Sequence, residues 1–139
     1  MEKSSIRVLV AEDFAPFREF VRSTLAMRRE LRVVCEVSDG QEAIQKAAEL
    51  KPHLILLDIG LPRLNGIEAA RQIRELSPDS KIIAVSEESS VHVVQEALSL
   101  GVRGYVSKRS AARDLLVALK AILEGKQFVS QGLISSSFD

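Results

Sequence analysis

The sequence predicts an α/β fold in which one five-stranded parallel sheet is covered by helices on both faces. Short apolar runs rich in β-branched residues alternate five times with longer stretches that repeat apolar residues at helical spacing. The third run, residues 53–57, is apolar after its first residue, as expected of a central strand buried on both faces. Strands that alternate with helices in this way build a parallel sheet through right-handed crossovers.

The first two strand–helix units lie in residues 6–50. In the first helical stretch, Phe17, Val21 and Leu25 share one face, which indicates a helix packed on the sheet. A turn at residues 38–40 begins the second helix. The predicted elements are strand Ile6–Ala11, helix 14–28, strand Leu31–Val37 and helix 41–50.

The other three units occupy residues 52–125. Pro52 ends the preceding helix, and Gly101 and Gly125 suit helix C-caps. Ser110 is a candidate N-cap for the last helix. The predicted elements are strand 53–57, helix 67–76, strand 81–85, helix 91–100, strand 104–106 and helix 110–124.

Five such units fit the flavodoxin-like, doubly wound (βα)5 order 2-1-3-4-5. The 139 residues suffice for one domain with a sizeable core, which we place at residues 1–125. Residues 126–139 contain three consecutive serines and are expected to form a C-terminal linker or tail.

Composition and charge exclude several classes of function. The 19 basic and 19 acidic residues balance, whereas a protein that grips nucleic acid normally has a basic excess. No apolar run approaches the length of a membrane span, and residues 1–7 lack the apolar region of a signal peptide. Cys35 is the single cysteine, so no internal disulfide can form. We expect a cytoplasmic protein that directly contacts neither nucleic acid nor a membrane.

The residues that follow the predicted strands carry the chemistry. Ligands of an open α/β sheet bind beyond the carboxyl ends of the strands, where the strand order reverses, here between strands 1 and 3. Glu12 and Asp13 follow strand 1, and Asp58 follows strand 3. Taken singly, these could be a solvated strand end and a helix cap. Three converging carboxylates repel one another unless a cation offsets them, and together they predict a Mg²⁺ site.

A hydroxyl and a lysine complete the predicted site. Ser86 follows strand 4, where it could also be an ordinary N-cap residue, and Lys108 follows strand 5. A carboxylate can act as the nucleophile in phosphoryl transfer and form an aspartyl phosphate. The charge that a phosphoryl group adds would attract Lys108 and the Ser86 hydroxyl. Asp58, at the end of the central strand, is the candidate acceptor.

These motifs resemble the receiver domains of two-component response regulators over residues 5–125. The matching blocks are VLVAED at 8–13, LILLDIGLP at 54–62 with NG at 65–66, AVS at 84–86 and GYVSK at 104–108. The resemblance implies that Asp58 is the phosphoacceptor and that Ser86 and Lys108 bind the phosphoryl group. It also implies that the donor is a sensor histidine kinase or a phosphotransfer protein.

The resemblance extends to the metal and to a conformational switch. It implies that Asp13 binds Mg²⁺ directly, that Glu12 acts through water, and that the backbone carbonyl of Gly60 completes the metal shell. Tyr105 matches the aromatic residue that rotates inward when the switch hydroxyl moves, although it could also be static packing. Such a domain is a switch rather than an enzyme, with self-phosphorylation from small donors and autodephosphorylation as parts of its cycle.

The second half of the chain resembles receivers of the NarL/FixJ/LuxR class, which precede a helix-turn-helix. That output domain is not in this sequence. Either the protein continues into one that controls transcription, which the serine-rich tail favours, or it ends without one. Homodimer formation is a further expected readout. Arg109 stands where many receivers have proline, and Glu87-Glu88 make the loop after Ser86 unusually acidic. These departures leave the response to small phosphodonors and the lifetime of the phosphoryl group open.

Three other functions compete with this interpretation. A degenerate receiver would act as a phosphorylation-independent interaction module, against which the complete set of acidic residues and Lys108 argues. A flavodoxin-like redox protein would need a Ser/Thr-rich phosphate loop after strand 1, where this chain is acidic. A free-standing hydrolase lacks support, because neither a Gly-x-Ser-x-Gly motif nor a P-loop is present.

Overall fold

The structure, a computed structural model, describes residues 5–87 and 90–131 of the chain. Within these ranges, helices cover both faces of one parallel sheet. The elements are β1 (Ile6–Ala11), α1 (Ala15–Leu25), β2 (Leu31–Val37), α2 (Gly40–Leu50), β3 (Leu54–Asp58), α3 (Gly66–Leu76), β4 (Lys81–Ser86), α4 (Val91–Ser99), β5 (Gly104–Ser107), a 3₁₀ turn (Lys108–Ser110), α5 (Ala111–Leu123) and β6 (Phe128–Val129).

The strand order β2-β1-β3-β4-β5-β6 confirms the predicted doubly wound arrangement and extends it by one short strand. β6 lies in the segment predicted to be a linker. There the Phe128 N–H donates to the Arg103 carbonyl at 3.1 Å, and the Ser130 N–H donates to the Tyr105 carbonyl at 2.9 Å. A two-residue strand is too short for periodicity to predict it. Residues 132–139 of the expected tail and Glu88 lie outside the described residues.

The register of the strands brings their carboxyl ends together. Ala11 of β1 pairs with Leu57 of β3, so the next residue of each strand, Glu12 and Asp58, are neighbours. Ser86 ends β4, one residue beyond the pairing partner of Asp58. The point where the strand order reverses therefore carries the predicted acidic residues, as the doubly wound topology requires.

The core consists of two apolar clusters, which contain the alternating side chains of β1 and β3. One cluster contains Leu9 and Ile55 with α2, α3 and α4, and the other contains Val8 and Leu56 with α1 and α5. All five residues of β3 are buried, which confirms that it is a central strand. The site described below thus begins at the end of the most deeply buried strand.

Side-chain hydrogen bonds cap the first turn of two helices, α2 and α3. The Asp39 carboxylate accepts from the Glu42 N–H at 2.8 Å, and the Asn65 side chain accepts from the Glu68 N–H at 3.0 Å, which caps α2 and α3. Ser110 is at the N-cap position of α5, but its side chain makes no capping hydrogen bond. The chain enters α5 through the 3₁₀ turn instead. No helix of the described ranges has both the length and the apolarity that crossing a membrane requires.

Candidate functional site

Three carboxylates meet at the carboxyl edge of the sheet. One oxygen from each of Glu12, Asp13 and Asp58 lies within 4.8 Å of the other two. Glu12 and Asp58 are only 1% and 5% exposed, whereas Asp13 is exposed. The structure therefore brings together the three predicted acidic residues in one cluster that extends from the protein interior to the surface.

Lys108 bridges the two buried carboxylates. Its Nζ lies 3.3 Å from Oδ2 of Asp58 and 3.0 and 3.1 Å from Oε1 and Oε2 of Glu12. Of the two Glu12 oxygens, only Oε2 has hydrogen-bond geometry, so the Oε1 distance is an ion-pair contact. Nζ also lies 4.7 Å from the centre of the Phe17 ring, within range of a cation–π interaction. Lys108 is thus held by two acids and one ring.

Burial and neighbouring charge shift the pKa values of this cluster. Burial raises the pKa of Glu12 and the Asp58 charge adds to the rise, which outweighs hydrogen bonds from the Phe14 N–H and from Lys108. Burial lowers the pKa of Lys108, but the hydrogen bond to Glu12 and the charge of Asp58 outweigh it, so the net shift is upward. Lys108 therefore stays protonated, while ionised Glu12 lacks sufficient positive charge around it.

The donor set fits a hard divalent cation. Among the described residues, Oε1 of Glu12 is buried and accepts no hydrogen bond, which leaves its lone pairs available to a ligand. One lysine cannot balance three carboxylates. The cluster offers carboxylate oxygens rather than nitrogen or sulfur, as Mg²⁺ prefers. Glu12, Asp13 and Asp58 are the residues that could hold the ion, and the backbone carbonyl of Gly60 remains a predicted ligand.

The loop after β3 fixes the position of Asp58. The Gly60 N–H donates to Oδ1 of Asp58 at 2.9 Å, and the Ile59 N–H donates to the Val85 carbonyl at 3.0 Å. α3 begins against this loop, where a Cβ on Gly66 would lie 2.5 Å from Cα of Ile59 and 2.6 Å from the Asp58 carbonyl oxygen. Only glycine permits this close approach, which explains the glycine after Asn65 in structural terms.

An open cavity of about 750 Å³ gives access to the cluster. Asp58, Ser86 and Lys108 line it, and Ser86 is itself only 3% exposed at the end of β4. Tyr105 is fully buried in the core cluster that also contains Val94 and Ala97 of α4, so this ring already lies inside the protein. Its role as a switch stays a prediction.

Several contributors to the site were not predicted. Phe17 was assigned to the core face of α1, yet its ring also contacts Lys108. Glu96 of α4 and Arg71 of α3 line the cavity, although in the sequence they look like solvent-facing helix residues. No local pattern distinguishes such residues, because their relevance depends on how helices pack around the ends of the strands.

The doubly wound sheet, with acidic residues after strands 1 and 3 and a lysine after strand 5, defines the class of receiver domains of signalling proteins. A family model described as the response regulator receiver domain matches residues 8–120. The chain belongs to this family, whose members are receiver domains of two-component systems, as the sequence motifs predicted.

Individual relatives agree with this assignment. The transcriptional regulatory protein DegU of Brevibacillus brevis is 32% identical over 129 residues, which cover 93% of this chain and 55% of DegU. A LuxR-family response regulator from Aurantimonas sp. SI85-9A1 is 31% identical with a TM-score of 0.87, covering 94% of this chain and 93% of that one. The resemblance to the LuxR class is thereby confirmed.

A third similar structure is the isolated REC domain of RcsB from Salmonella enterica serovar Typhimurium, in the presence of the phosphomimetic BeF₃⁻. It is 26% identical with a TM-score of 0.87, and the match covers 94% of this chain and 96% of that one. The chain spans 55% to 64% of the length of curated relatives such as DegU and GacA.

Proposed function

We propose that this domain is a phosphorylation-dependent switch that accepts a phosphoryl group on Asp58. The observation that carries the proposal is the position of that carboxylate. Asp58 lies at the end of the central strand, lines an open cavity, and shares one cluster with two further acids and Lys108. A nucleophilic carboxylate with a cation on one side and access to a donor on the other has the features that phosphoryl transfer requires.

The proposed donor is phosphohistidine on a sensor histidine kinase or a phosphotransfer protein. An Asp58 carboxylate oxygen forms the new P–O bond while the P–N bond to the donor breaks. The electron pair of that bond stays on the imidazole nitrogen, which takes up a proton. Bound Mg²⁺, held by Glu12, Asp13 and Asp58, would supply positive charge to offset the phosphoryl oxygens.

The other residues of the site have separate tasks in this proposal. The Gly60 N–H orients the carboxylate through its 2.9 Å hydrogen bond to Oδ1 of Asp58. Once Asp58 is phosphorylated, its negative charge lies on the phosphoryl oxygens, and Lys108 donates a hydrogen bond to one of them. The Ser86 hydroxyl, at the end of β4, donates to another. Because Ser86 and Tyr105 lie on adjacent paired strands, a shift of β4 toward the phosphoryl group would repack Tyr105. The altered surface near α4 and β5 would control homodimer formation or an output domain that regulates transcription.

Phosphorylation by radiolabelled acetyl phosphate tests the proposal. The wild-type chain should acquire acid-stable, hydroxylamine-sensitive label only when Mg²⁺ is present, as expected of an acyl phosphate. Asp58→Asn should remain unlabelled, whereas Asp79→Asn, which removes an exposed carboxylate elsewhere, should be labelled like wild type. Equal labelling of Asp58→Asn would refute the assignment of the acceptor. Absence of labelling, together with no response to BeF₃⁻, would favour the phosphorylation-independent interaction module instead.

A further inference from the structure

The mouth of the cavity is more acidic than phosphoryl transfer alone requires. In addition to the three carboxylates that could hold a metal, three carboxylates from three different segments line the mouth of the cavity: Glu68 of α3, Glu87 after β4 and Glu96 of α4. Glu87 and Glu96 are exposed, and neither forms an ion pair with another residue in the described ranges. We call these three residues the acidic rim. None of them is needed to hold a metal at Asp58.

Both basic side chains that line the cavity are already engaged, whereas Arg109, which lines an adjoining cavity together with Glu87, forms no ion pair in the described ranges. Arg71 lies 3.1 Å from Glu68 on the same helix, and Lys108 is bonded to Glu12 and Asp58. The cavity lining has five carboxylates and two basic side chains, Glu12 adds a sixth carboxylate to the cluster, and Arg109 adds a third basic side chain. A single divalent cation does not cancel this excess of acid. The entrance therefore keeps a negative potential even with metal bound, and that potential is focused by the concave shape.

We infer that the acidic rim selects the phosphodonor by charge, favouring a phosphohistidine flanked by basic side chains over free anionic phosphodonors. This inference rests on the proposed function of Asp58. A free dianion must approach the like charges of the rim within about one Debye length and carries no positive group of its own that could pair with them. A protein donor can present the same phosphoryl group with lysine or arginine beside it, which pairs with Glu87 and Glu96 while the phosphoryl group enters.

The rim would act on the approach of the donor and not on the chemical step. With acetyl phosphate, the Asp58 oxygen forms the P–O bond and acetate leaves with the electron pair of the broken bond, whether or not the rim is charged. The charge of the rim should therefore change the second-order rate constant of phosphorylation, which is measured at low donor concentration. The effect should shrink as salt screens the exposed carboxylates, since interactions between exposed charges weaken with ionic strength.

The first experiment measures the second-order rate constant for labelling by acetyl phosphate at saturating Mg²⁺ over a series of KCl concentrations. The double variant Glu87→Gln/Glu96→Gln should react roughly three- to tenfold faster than wild type at low ionic strength, and the two should converge at about 1 M salt. Phosphoramidate, which carries less negative charge, should show a smaller gain. Glu75→Gln removes an exposed carboxylate outside the cavity and should match wild type throughout.

The second experiment compares two synthetic phosphohistidine peptides, one flanked by lysines and one by glutamates. Wild type should prefer the lysine-flanked donor, and the double variant should lose most of that preference. Equal rates for wild type and the double variant with every donor, or a gain that does not depend on salt, would overturn the role of the rim. Label that fails to appear in wild type, or persists in Asp58→Asn, would instead overturn the proposed function on which this inference rests.

Discussion

Two groups of residues with buried carboxylates flank the end of β5, and they differ in how completely those carboxylates are hydrogen-bonded. At the candidate site, Oε1 of Glu12 accepts no hydrogen bond from the described residues. At the edge of the sheet, Asp114 accepts from Ser130 Oγ at 2.7 Å and from Arg113 Nε at 3.0 Å. Ser130 Oγ in turn accepts from the Ser107 N–H at 3.0 Å. We call this second group the Asp114 cluster.

The pKa shifts of the two clusters have opposite signs. Burial tends to raise the pKa of both Glu12 and Asp114. For Asp114 the hydrogen bonds from Arg113 and Ser130 outweigh burial, and its pKa is lowered. For Glu12 the bonds do not suffice, and its pKa is raised. The comparison indicates that the Asp114 cluster connects α5 to the segment after it and needs no further ligand. The candidate site, in contrast, keeps a deficit of positive charge that a cation can fill.

Of the substitutions in the two groups, removal of the Lys108 charge should change the free energy of unfolding most. Lys108→Met leaves two buried carboxylates without their cation, so the free energy of unfolding without metal should fall by about 3 kcal/mol. Mg²⁺ should restore part of the loss. Urea unfolding followed by circular dichroism, in EDTA and in Mg²⁺, measures both. Lys120→Met, at an exposed position of α5, is the control and should change stability by less than about 0.5 kcal/mol. A Lys108→Met variant as stable as that control would mean that Lys108 does not neutralise the cluster.

Mg²⁺ itself should stabilise wild type by about 2.7 kcal/mol at a concentration one hundred times its dissociation constant, because it binds only the folded chain. Asp13→Asn should abolish most of this gain. Since Asp13 is exposed, the metal-free stability of that variant should stay close to wild type. The same unfolding experiment at matched ionic strength measures the gain, with Asp79→Asn as the control. An undiminished gain in Asp13→Asn would place the metal elsewhere.

Loss of the Asp114 carboxylate should cost stability without any link to metal. Asp114→Ala removes two hydrogen bonds to a buried carboxylate and leaves the Ser130 hydroxyl without its acceptor. The free energy of unfolding should therefore fall by about 2 kcal/mol. The loss should be equal in EDTA and in Mg²⁺. A loss that disappears in Mg²⁺ would contradict the separation of the two clusters. Val117→Ala, at an exposed position of the same helix, controls for general effects on α5.

The sequence predicts the carboxylate cluster of the candidate site but not the Asp114 cluster, for a physical reason. Glu12, Asp13 and Asp58 directly end or follow apolar strands, and parallel topology places all strand ends on one edge. Their convergence therefore depends only on strand order, which the five-fold alternation indicates. The contact between Asp114 and Ser130 depends instead on where the chain turns after α5, and nothing periodic in residues 124–130 specifies that turn.

The acidic rim, like the Asp114 cluster, could not be predicted from the sequence alone. Glu96 and Glu68 lie on helices whose apolar faces are predictable, but the distance of their polar faces from Asp58 depends on helix packing. Glu87 drew attention in the sequence only because it departs from the common pattern after Ser86. Strand-end residues can thus be read from the chain, while residues that shape access to them need the three-dimensional structure.

The smallest expected effect is that of Glu12→Gln, which should raise the free energy of unfolding, whereas Asp114→Ala should lower it. Glu12→Gln removes a carboxylate whose ionisation opposes folding, so the metal-free domain should become more stable at neutral pH by about 1 kcal/mol. Because the folded-state pKa of Glu12 is raised, its cost is absent in acid and appears as pH rises through its unfolded and then its folded pKa. The gain from the substitution should therefore grow from acid to neutral pH.

Asp114 should show the reverse dependence on pH. Its folded-state pKa is lowered, so its stabilisation is present above the unfolded pKa and is lost as pH falls through the folded pKa. The stability that Asp114→Ala loses relative to wild type should therefore shrink in acid. The stability that Glu12→Gln gains relative to wild type should shrink in acid as well, so the two differences have opposite signs at neutral pH. Urea unfolding in EDTA across pH 3 to 7 measures both differences, with Glu75→Gln as an exposed control. If Glu12→Gln lowers the metal-free stability at neutral pH, Glu12 is satisfied as fully as Asp114, and the charge deficit that would draw a metal into the site does not exist.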